Sequence, residues 1–286
     1  MTPRLSELYP EPGRTRDLEG TWLAEAVHSC GRVGAPIIYG SFVSSLDGRI
    51  AVTDPASGAL KPPEAILTSH DFRLLRELMA QADCFVTHGG YLRAIETGTL
   101  DDILHIGLGS EAEYLARWRS ENGFSGQPGV VVVSASLDFT VPRSLRDHGQ
   151  RVAIVTVDTA PIGRIRRLEQ EGFEVIVTSD SGRVQGDAIA DAVTRLGYRS
   201  AYLVAGPQIL HTLLEHRRLG RLFVTITHQI LGGESFATLA SGPPLGNAGY
   251  LELRSLYYDR TLPAGAGQWF AQFAPSAELS CSDRGC

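Results

Sequence analysis

Lysine is almost missing from this chain. Lys61 is the single lysine among 26 basic residues, and the 32 acidic ones bring the net charge to −6. A broad basic surface of the kind that binds nucleic acid is therefore excluded, although a local arginine pocket for a phosphate is not. Cysteine is scarce too. Cys30, Cys84, Cys281 and Cys286 form no C-x-x-C pair, which excludes zinc-ribbon and thioredoxin-type chemistry and fits a reducing, cytoplasmic setting. No apolar run reaches the ~18 residues needed to cross a membrane, and the first fourteen residues, MTPRLSELYPEPGR, carry no apolar leader core. There is no G-x-S-x-G elbow and no Walker loop. The eight histidines offer no metal-ligand spacing on one helix face, since His211 and His216 stand five apart.

What is present is ordinary globular composition. The 286 residues are 43% hydrophobic and 20% charged, enough for one large domain without staples. Residues 1–35 read as a Pro/Gly-punctuated N-terminal extension, with a short helix over 21–30. Residues 36–260 read as one domain and 261–286 as a C-terminal tail that frays from about Ser276. Apolar density marks strands at 36–44, 83–87, 129–134, 152–157, 174–178 and 201–205. Helical spacing marks 70–80 (Ser69 as N-cap; Phe72, Leu75, Leu78 and Met79 as apolar face), 111–119, 162–170, 187–196 and 208–216. Residues 53–63 read as a loop. The alternation over 222–230 reads as an antiparallel strand, followed by another at 250–258. Short continuous apolar strands alternating with helices predict an α/β fold, with a mixed, mostly parallel central sheet and antiparallel C-terminal strands.

Open α/β sheets bind ligands at the carboxyl ends of their strands. Three such ends carry glycine and polar residues, at 44–48, 87–90 and 205–208. Gly206-Pro207 closes a strand and opens a helix, a pattern that serves equally as a pyrophosphate seat or as an ordinary strand–helix turn. Asp47 is either a simple Asp-Gly turn residue or a carboxylate that orients a substrate or moves a proton. His88, in a Gly-flanked strand end, is either a solvated loop residue or an acid or base. The G-x-G-x-x-A match at 107–112 lacks a clean βαβ context and reads as a loop–helix entry.

Three segments in order resemble one family. SSLDGRIA at 44–51, DCFVTHGGYLR at 83–93, and YLVAGPQIL at 202–210 with RLFVTITHQILGG at 221–233 resemble the pyrimidine reductases of riboflavin biosynthesis. These form the C-terminal domain of a bifunctional deaminase-reductase and have a dihydrofolate-reductase-like fold. The resemblance implies an NADPH-dependent reductase of a ribosylaminopyrimidine phosphate or related heterocycle, an activity like that of 5-amino-6-(5-phosphoribosylamino)uracil reductase. It implies substrate binding by Ser45, Asp47 and Arg49, with Asp47 catalytic. Cofactor contacts fall on Thr87, Gly89, Gly90, Gly206, Pro207 and Gln208, with Ser134 where related enzymes meet the adenosine 2′-phosphate. It also implies a homodimer, for which residues 222–230 would supply the interface, and no metal. Departures from the family pattern are His88 for a glycine, Tyr91 for a threonine, Ala205 for a glycine and His228 for a proline. The pattern that follows Arg93 in the family is absent, and so is the deaminase's zinc signature. These departures support an alternative: a non-enzymatic or differently catalytic nucleotide-binding paralogue with drifted cofactor loops.

Overall fold

The computed structural model describes residues 3–107, 110–179 and 182–276. Part of the G-x-G-x-x-A segment, Cys281, Cys286 and most of the expected fraying tail lie outside the described residues. In chain order the first elements are β1 (Arg4–Tyr9), β2 (Thr15–Asp17), α1 (Thr21–Ala24), β3 (Ile37–Ser45), β4 (Ala51–Thr53), β5 (Leu60–Lys61), α2 (Ser69–Met79), β6 (Cys84–His88) and α3 (Gly89–Glu96). There follow α4 (Ser110–Glu121), β7 (Gly129–Val133), α5 (Arg143–Asp147), β8 (Val152–Val157), α6 (Ile162–Gln170), β9 (Glu174–Thr178), α7 (Gly186–Arg195) and β10 (Ser200–Leu203). The last are α8 (Pro207–Glu215), β11 (Arg221–Thr227), β12 (Phe236–Ala237), β13 (Leu251–Asp259) and β14 (Gln268–Pro275). No described helix is long and apolar enough to cross a membrane. The chain is a mixed α/β protein and divides into two compact units, residues 1–25, 39–77 and 206–286 in the first and 26–38 and 78–205 in the second.

The second unit is the parallel half. Its strands run in the order β10-β6-β7-β8-β9, every neighbouring pair parallel. The β7 sequence GVVVV and the β8 sequence VAIVTV are buried at every position, as strands covered on both faces must be. Arg119 of α4 is fully buried here. Its guanidinium donates to the carbonyls of Ala80 and Ala82 at 2.8 Å each and to that of Ser125, so a buried charge is satisfied by backbone acceptors left over at a chain turn.

The first unit holds β2-β1-β13-β14-β11-β3, in which β11 and β3 are parallel and the other pairs antiparallel. A small antiparallel sheet, β12-β4-β5, accompanies it. Strands therefore extend past the bounds 36–260 on both sides. β1 comes from residues read as an extension and β14 from residues read as a tail. Both hide behind buried polar residues. Glu7 in β1 is 2% exposed and meets Arg16 at 3.0 Å, while Gln268 and Gln272 in β14 are paired with Asp259 and Ser255.

Other expectations change in detail. Residues 21–30 form not one helix but α1 and a separate 3₁₀ turn (Val27–Cys30), broken at Ala26, whose φ is +45°. β5 lies within the expected loop 53–63. The N-cap of α2 is Thr68, not Ser69: its hydroxyl accepts the Asp71 N–H at 3.0 Å. Leu78 and Met79 lie on the buried face of α2 as expected, but they are joined there by Asp71, Leu74 and Glu77, while Leu75 is half-buried and Phe72 exposed. β11 lies between β3 and β14, antiparallel to β14 as expected but parallel to β3, and is paired along its length on both sides.

Glu77 is wholly buried and accepts the backbone N–H groups of Gly20 (2.7 Å), Trp22 (3.0 Å) and Leu23 (3.3 Å). A side chain 55 residues away in sequence thus caps the start of α1. Removing it strands those donors. Glu77→Ala should lower unfolding free energy by about 2–4 kcal/mol, read from denaturant midpoints; a loss below about 0.5 kcal/mol would show that the cap is not structural.

Candidate active site

The first unit brings together the three residues expected to bind substrate. β3 ends at Ser45, and the chain reverses through Leu46 and Asp47, closed by the Gly48 N–H on the Ser45 carbonyl at 3.0 Å. Gly48 has φ +81°, which accounts for glycine after the aspartate. The Ser45 hydroxyl donates to Asp47 Oδ1 at 2.5 Å and accepts the Arg49 N–H at 3.0 Å. Asp47 also accepts the backbone N–H groups of Leu231 (3.2 Å) and Gly232 (3.0 Å) and pairs with the Arg49 guanidinium. Arg49 continues to the Gly233 carbonyl at 3.1 Å and lies 4.4 Å over the Phe236 ring.

One carboxylate therefore fixes the loop that leaves β11 to the turn that leaves β3. The Ser45 hydroxyl, the two backbone donors and the neighbouring guanidinium all favour its ionised form and hold its pKa well below the usual range. Such a group orients its surroundings; it does not release and recover protons near neutrality. Around it stand the exposed apolar side chains of Leu46, Ile230 and Phe236, the apolar borders that small-molecule sites commonly have.

A second carboxyl of the first unit behaves in the opposite way. Asp71, in the first turn of α2, is 9% exposed. Burial pushes its pKa up to about 6, against a smaller lowering effect of Thr225. In the sequence Asp71 reads as an ordinary first-turn acid of a capped helix, and nothing local shows that the turn faces inward. Arg73, a phosphate candidate by type, lies 3.8 Å from Glu19.

At the start of α8, Gly206 is the N-cap and Pro207 occupies the first turn, with no side-chain cap. This is the arrangement expected from the sequence, and its first-turn N–H groups suit an anion. In the second unit, Thr87, Gly89, Gly90 and Ser134 cluster. A methyl at Gly89 would lie 2.7 Å from Phe139 and 2.9 Å from the Ser134 hydroxyl, so only glycine fits. That hydroxyl accepts the Leu137 N–H at 3.0 Å, and Arg93 anchors the same loop at the Asp138 carbonyl at 2.6 Å. Thr87 Oγ1 is buried with no hydrogen-bond partner. His88 is neither solvated nor free: it is the N-cap of α3, its Nδ1 accepting the Tyr91 N–H at 3.3 Å. Burial, then Arg93, lowers its pKa, so the ring is neutral and takes a helix donor that a phosphate would otherwise take. Within the second unit the orphaned Thr87 hydroxyl suits a nucleotide phosphate, while the His88 cap narrows what α3 offers it. Among the described residues, no group of three or more His, Cys, Asp or Glu side chains is placed to hold a metal.

Residues 36–259 match the family model described as RibD C-terminal domain. The chain belongs to the RibD C-terminal domain family. Among solved structures it is similar to a pyrimidine reductase-like protein from Corynebacterium diphtheriae, with 18% identity, a TM-score of 0.62 and coverage of 84% of this chain and 91% of the other. It is also similar to a riboflavin biosynthesis reductase from Saccharomyces cerevisiae (12%, TM-score 0.59, 90% and 99%) and to RibD from Acinetobacter baumannii (13%, TM-score 0.57, 85% and 59%). The chain thus spans about three-fifths of that RibD. No curated protein matches it. At these identities the likeness shows the fold, and SSLDGRIA stands in it as the end of β3 and its turn.

Two outcomes test this geometry. Asp47→Ala should speed amide hydrogen exchange at Leu231 and Gly232 while leaving β13 and β14 protected; unchanged exchange would show that Asp47 does not hold the loop. For Asp71, the fold raises the pKa from 3.8 to about 6. The stabilising protonation is complete below about pH 4 and lost as pH rises through 6, which withholds on the order of 3 kcal/mol above that point. Asp71→Asn should therefore stabilise the protein at pH 8 and match the wild type at pH 4. Equal stabilities at pH 8 would contradict the burial of this carboxyl.

Proposed function

We propose that this protein is an NADPH-dependent reductase of a ribosylaminopyrimidine phosphate or a related heterocycle, acting as a cytoplasmic homodimer. The observation that carries the reading is the constellation of Ser45, Asp47 and Arg49, hydrogen-bonded together in a chain whose residues 36–259 match the RibD C-terminal domain. The similar solved structures carry names of pyrimidine and riboflavin biosynthesis reductases, which agree with it.

In this reading the chain's own residues bind and orient. Ser45 and Arg49 face the substrate, with Arg49 supplying a guanidinium for its phosphate. Asp47 keeps both in place by holding the 229–233 loop. Gly206 and Gln208 offer backbone N–H groups to a cofactor phosphate, with Pro207 setting the helix start between them; in the second unit Gly89 and Gly90 beside Thr87 do the same. Ser134 stands for the 2′-phosphate that distinguishes NADPH from NADH. Bound NADPH supplies the hydride; the protein supplies position and electrostatics.

One observation favours a second reading, a nucleotide-binding paralogue without reductase activity. The His88 ring lies against Gly90, with Nδ1 2.9 Å from where a methyl there would sit, and it takes the Tyr91 N–H. Calorimetric titration of the protein with NADPH and then NADH separates the two. The reductase reading expects micromolar binding of NADPH and much weaker binding of NADH. Absence of heat with both would overturn it and leave the second reading.

A further inference from the structure

As a neutral cap, His88 withholds one helix N–H from a phosphate. Its surroundings also fit a second protonation state. Two nitrogen-bearing side chains converge on Gly90 in the first turn of α3. A methyl there would lie 2.9 Å from His88 Nδ1, 3.0 Å from His88 Cε1 and 3.6 Å from Arg93 Nη2. Glycine therefore lets the imidazole lie over the helix start, and the ring shares that place with a guanidinium. His88 and Gly90 are both half-buried, so solvent reaches the spot.

Two further features suit an anion. Thr87, the residue before His88, holds a wholly buried hydroxyl with no hydrogen-bond partner. The register sets Thr87 opposite Val132 of β7, so Ser134, two residues on, shares its face. A methyl at Gly89 would meet that Ser134 hydroxyl at 2.9 Å. Arg93 is the second feature: its Nη1 is anchored to the Asp138 carbonyl at 2.6 Å, which holds the guanidinium beside the helix start. An imidazolium, a guanidinium, hydroxyls and first-turn N–H groups are the donors a phosphate takes.

Without a ligand only the neutral ring fits. Nδ1 accepts the Tyr91 N–H at 3.3 Å, so its lone pair is in use and the ring proton sits on Nε2. A phosphate arriving at the first turn brings its own acceptors for that N–H and frees the lone pair. Its negative charge also offsets the repulsion that Arg93 exerts on an imidazolium.

We propose, on the reading above that α3 receives a nucleotide phosphate, that His88 is itself a ligand of that phosphate and takes up a proton when it binds. Nδ1 gains the proton from solvent and turns from acceptor to donor, giving a charged hydrogen bond to a phosphate oxygen. The side chain that caps the empty helix thereby becomes part of the seat.

The groups facing His88 leave the proton to the ring. On α3, Arg93 is the charge that acts on it. The Tyr91 phenol, pushed up to about 12 by burial, stays neutral and donates to the Asp101 carbonyl. From β7, Val133 lies opposite His88, and Ser134 beyond it is neutral. In the loop that follows, the Asp138 carboxylate is paired with Arg164 at 3.1 Å. β10 brings only the apolar Leu203 and Val204 to the end of β6. Burial and then Arg93 keep the free ring's pKa below its ordinary value, so the free ring is neutral at pH 8 and binding draws the proton in.

The test uses the full chain and two variants. His88→Asn keeps a capping oxygen without a titrating ring, and His88→Gly removes the cap. Calorimetry with NADPH and with NADH at pH 8, in two buffers of different ionisation heat, reads proton uptake. The wild type should take up roughly half to one proton per nucleotide bound, and both variants none. Wild-type affinity should fall by up to about tenfold per unit between pH 7 and 9, where the phosphates are already ionised, and stay flat in the variants. Nitrogen NMR should show the His88 proton on Nε2 alone in the free protein and on both nitrogens with nucleotide bound. Uptake with NADPH alone supports the proposal at the 2′-phosphate, and uptake with both supports it at the pyrophosphate. If one variant does not fold, the other and the wild-type uptake decide. Nucleotide bound without proton uptake, variants that keep the wild-type pH slope, or a His88 ring that stays neutral overturns the proposal and leaves the reductase reading standing. If neither dinucleotide binds, the reductase reading falls. Inorganic pyrophosphate is then the probe, and a His88 ring it does not protonate overturns this proposal too.

Discussion

The Asp47 carboxylate is the contact on which the candidate substrate site depends. The chain leaving β11 has no strand partner through 229–233, so its N–H groups need acceptors from elsewhere. Asp47 supplies two of them and is itself held by Ser45 and Arg49. The surrounding backbone completes the junction: the Leu46 N–H reaches the Gln229 carbonyl at 2.8 Å, and the Ile50 N–H reaches the Ala237 carbonyl at 2.9 Å. Two loops are thereby joined into one surface, from which the Arg49 guanidinium lies over the Phe236 ring.

This arrangement divides labour between acidic groups by environment. A carboxylate that receives several donors stays charged and organises its neighbours, while one that is buried holds its proton to higher pH. Asp47 and Asp71 represent those two cases within a single unit. The same logic applies to His88. Burial keeps the ring neutral, and a neutral Nδ1 accepts the helix N–H that a protonated ring could not. His88 thus caps α3 on its own, with no other side chain among the described residues accepting an N–H at that helix start.

Much of the fold was legible because it rests on local patterns. The valine runs of β7 and β8, the Asp47-Gly48 reversal and the Gly206-Pro207 helix start all follow from residue type and spacing. β1 and β14 were not legible, because their buried positions include Glu7, Gln268 and Gln272, polar residues whose partners come from distant segments. The α2 cap was misplaced by one residue because Thr68 and Ser69 satisfy the same pattern. Of the site, the turn at 44–51 was legible as a motif. The loading of Asp47 and the burial of Asp71 were not, since each depends on elements more than 150 residues away in sequence, the 231–232 amides and Thr225.

The central claim is that this chain transfers a hydride from a reduced nicotinamide to a ribosylaminopyrimidine or a close relative of it. The most direct measurement is mass spectrometry of the products formed from NADPH deuterated at nicotinamide C4, run separately with each of the two stereospecifically labelled forms. The account predicts that one form passes its deuterium to a carbon of the product and the other retains it on the oxidised cofactor. Product that carries no deuterium from either form, or no product at all, would contradict it.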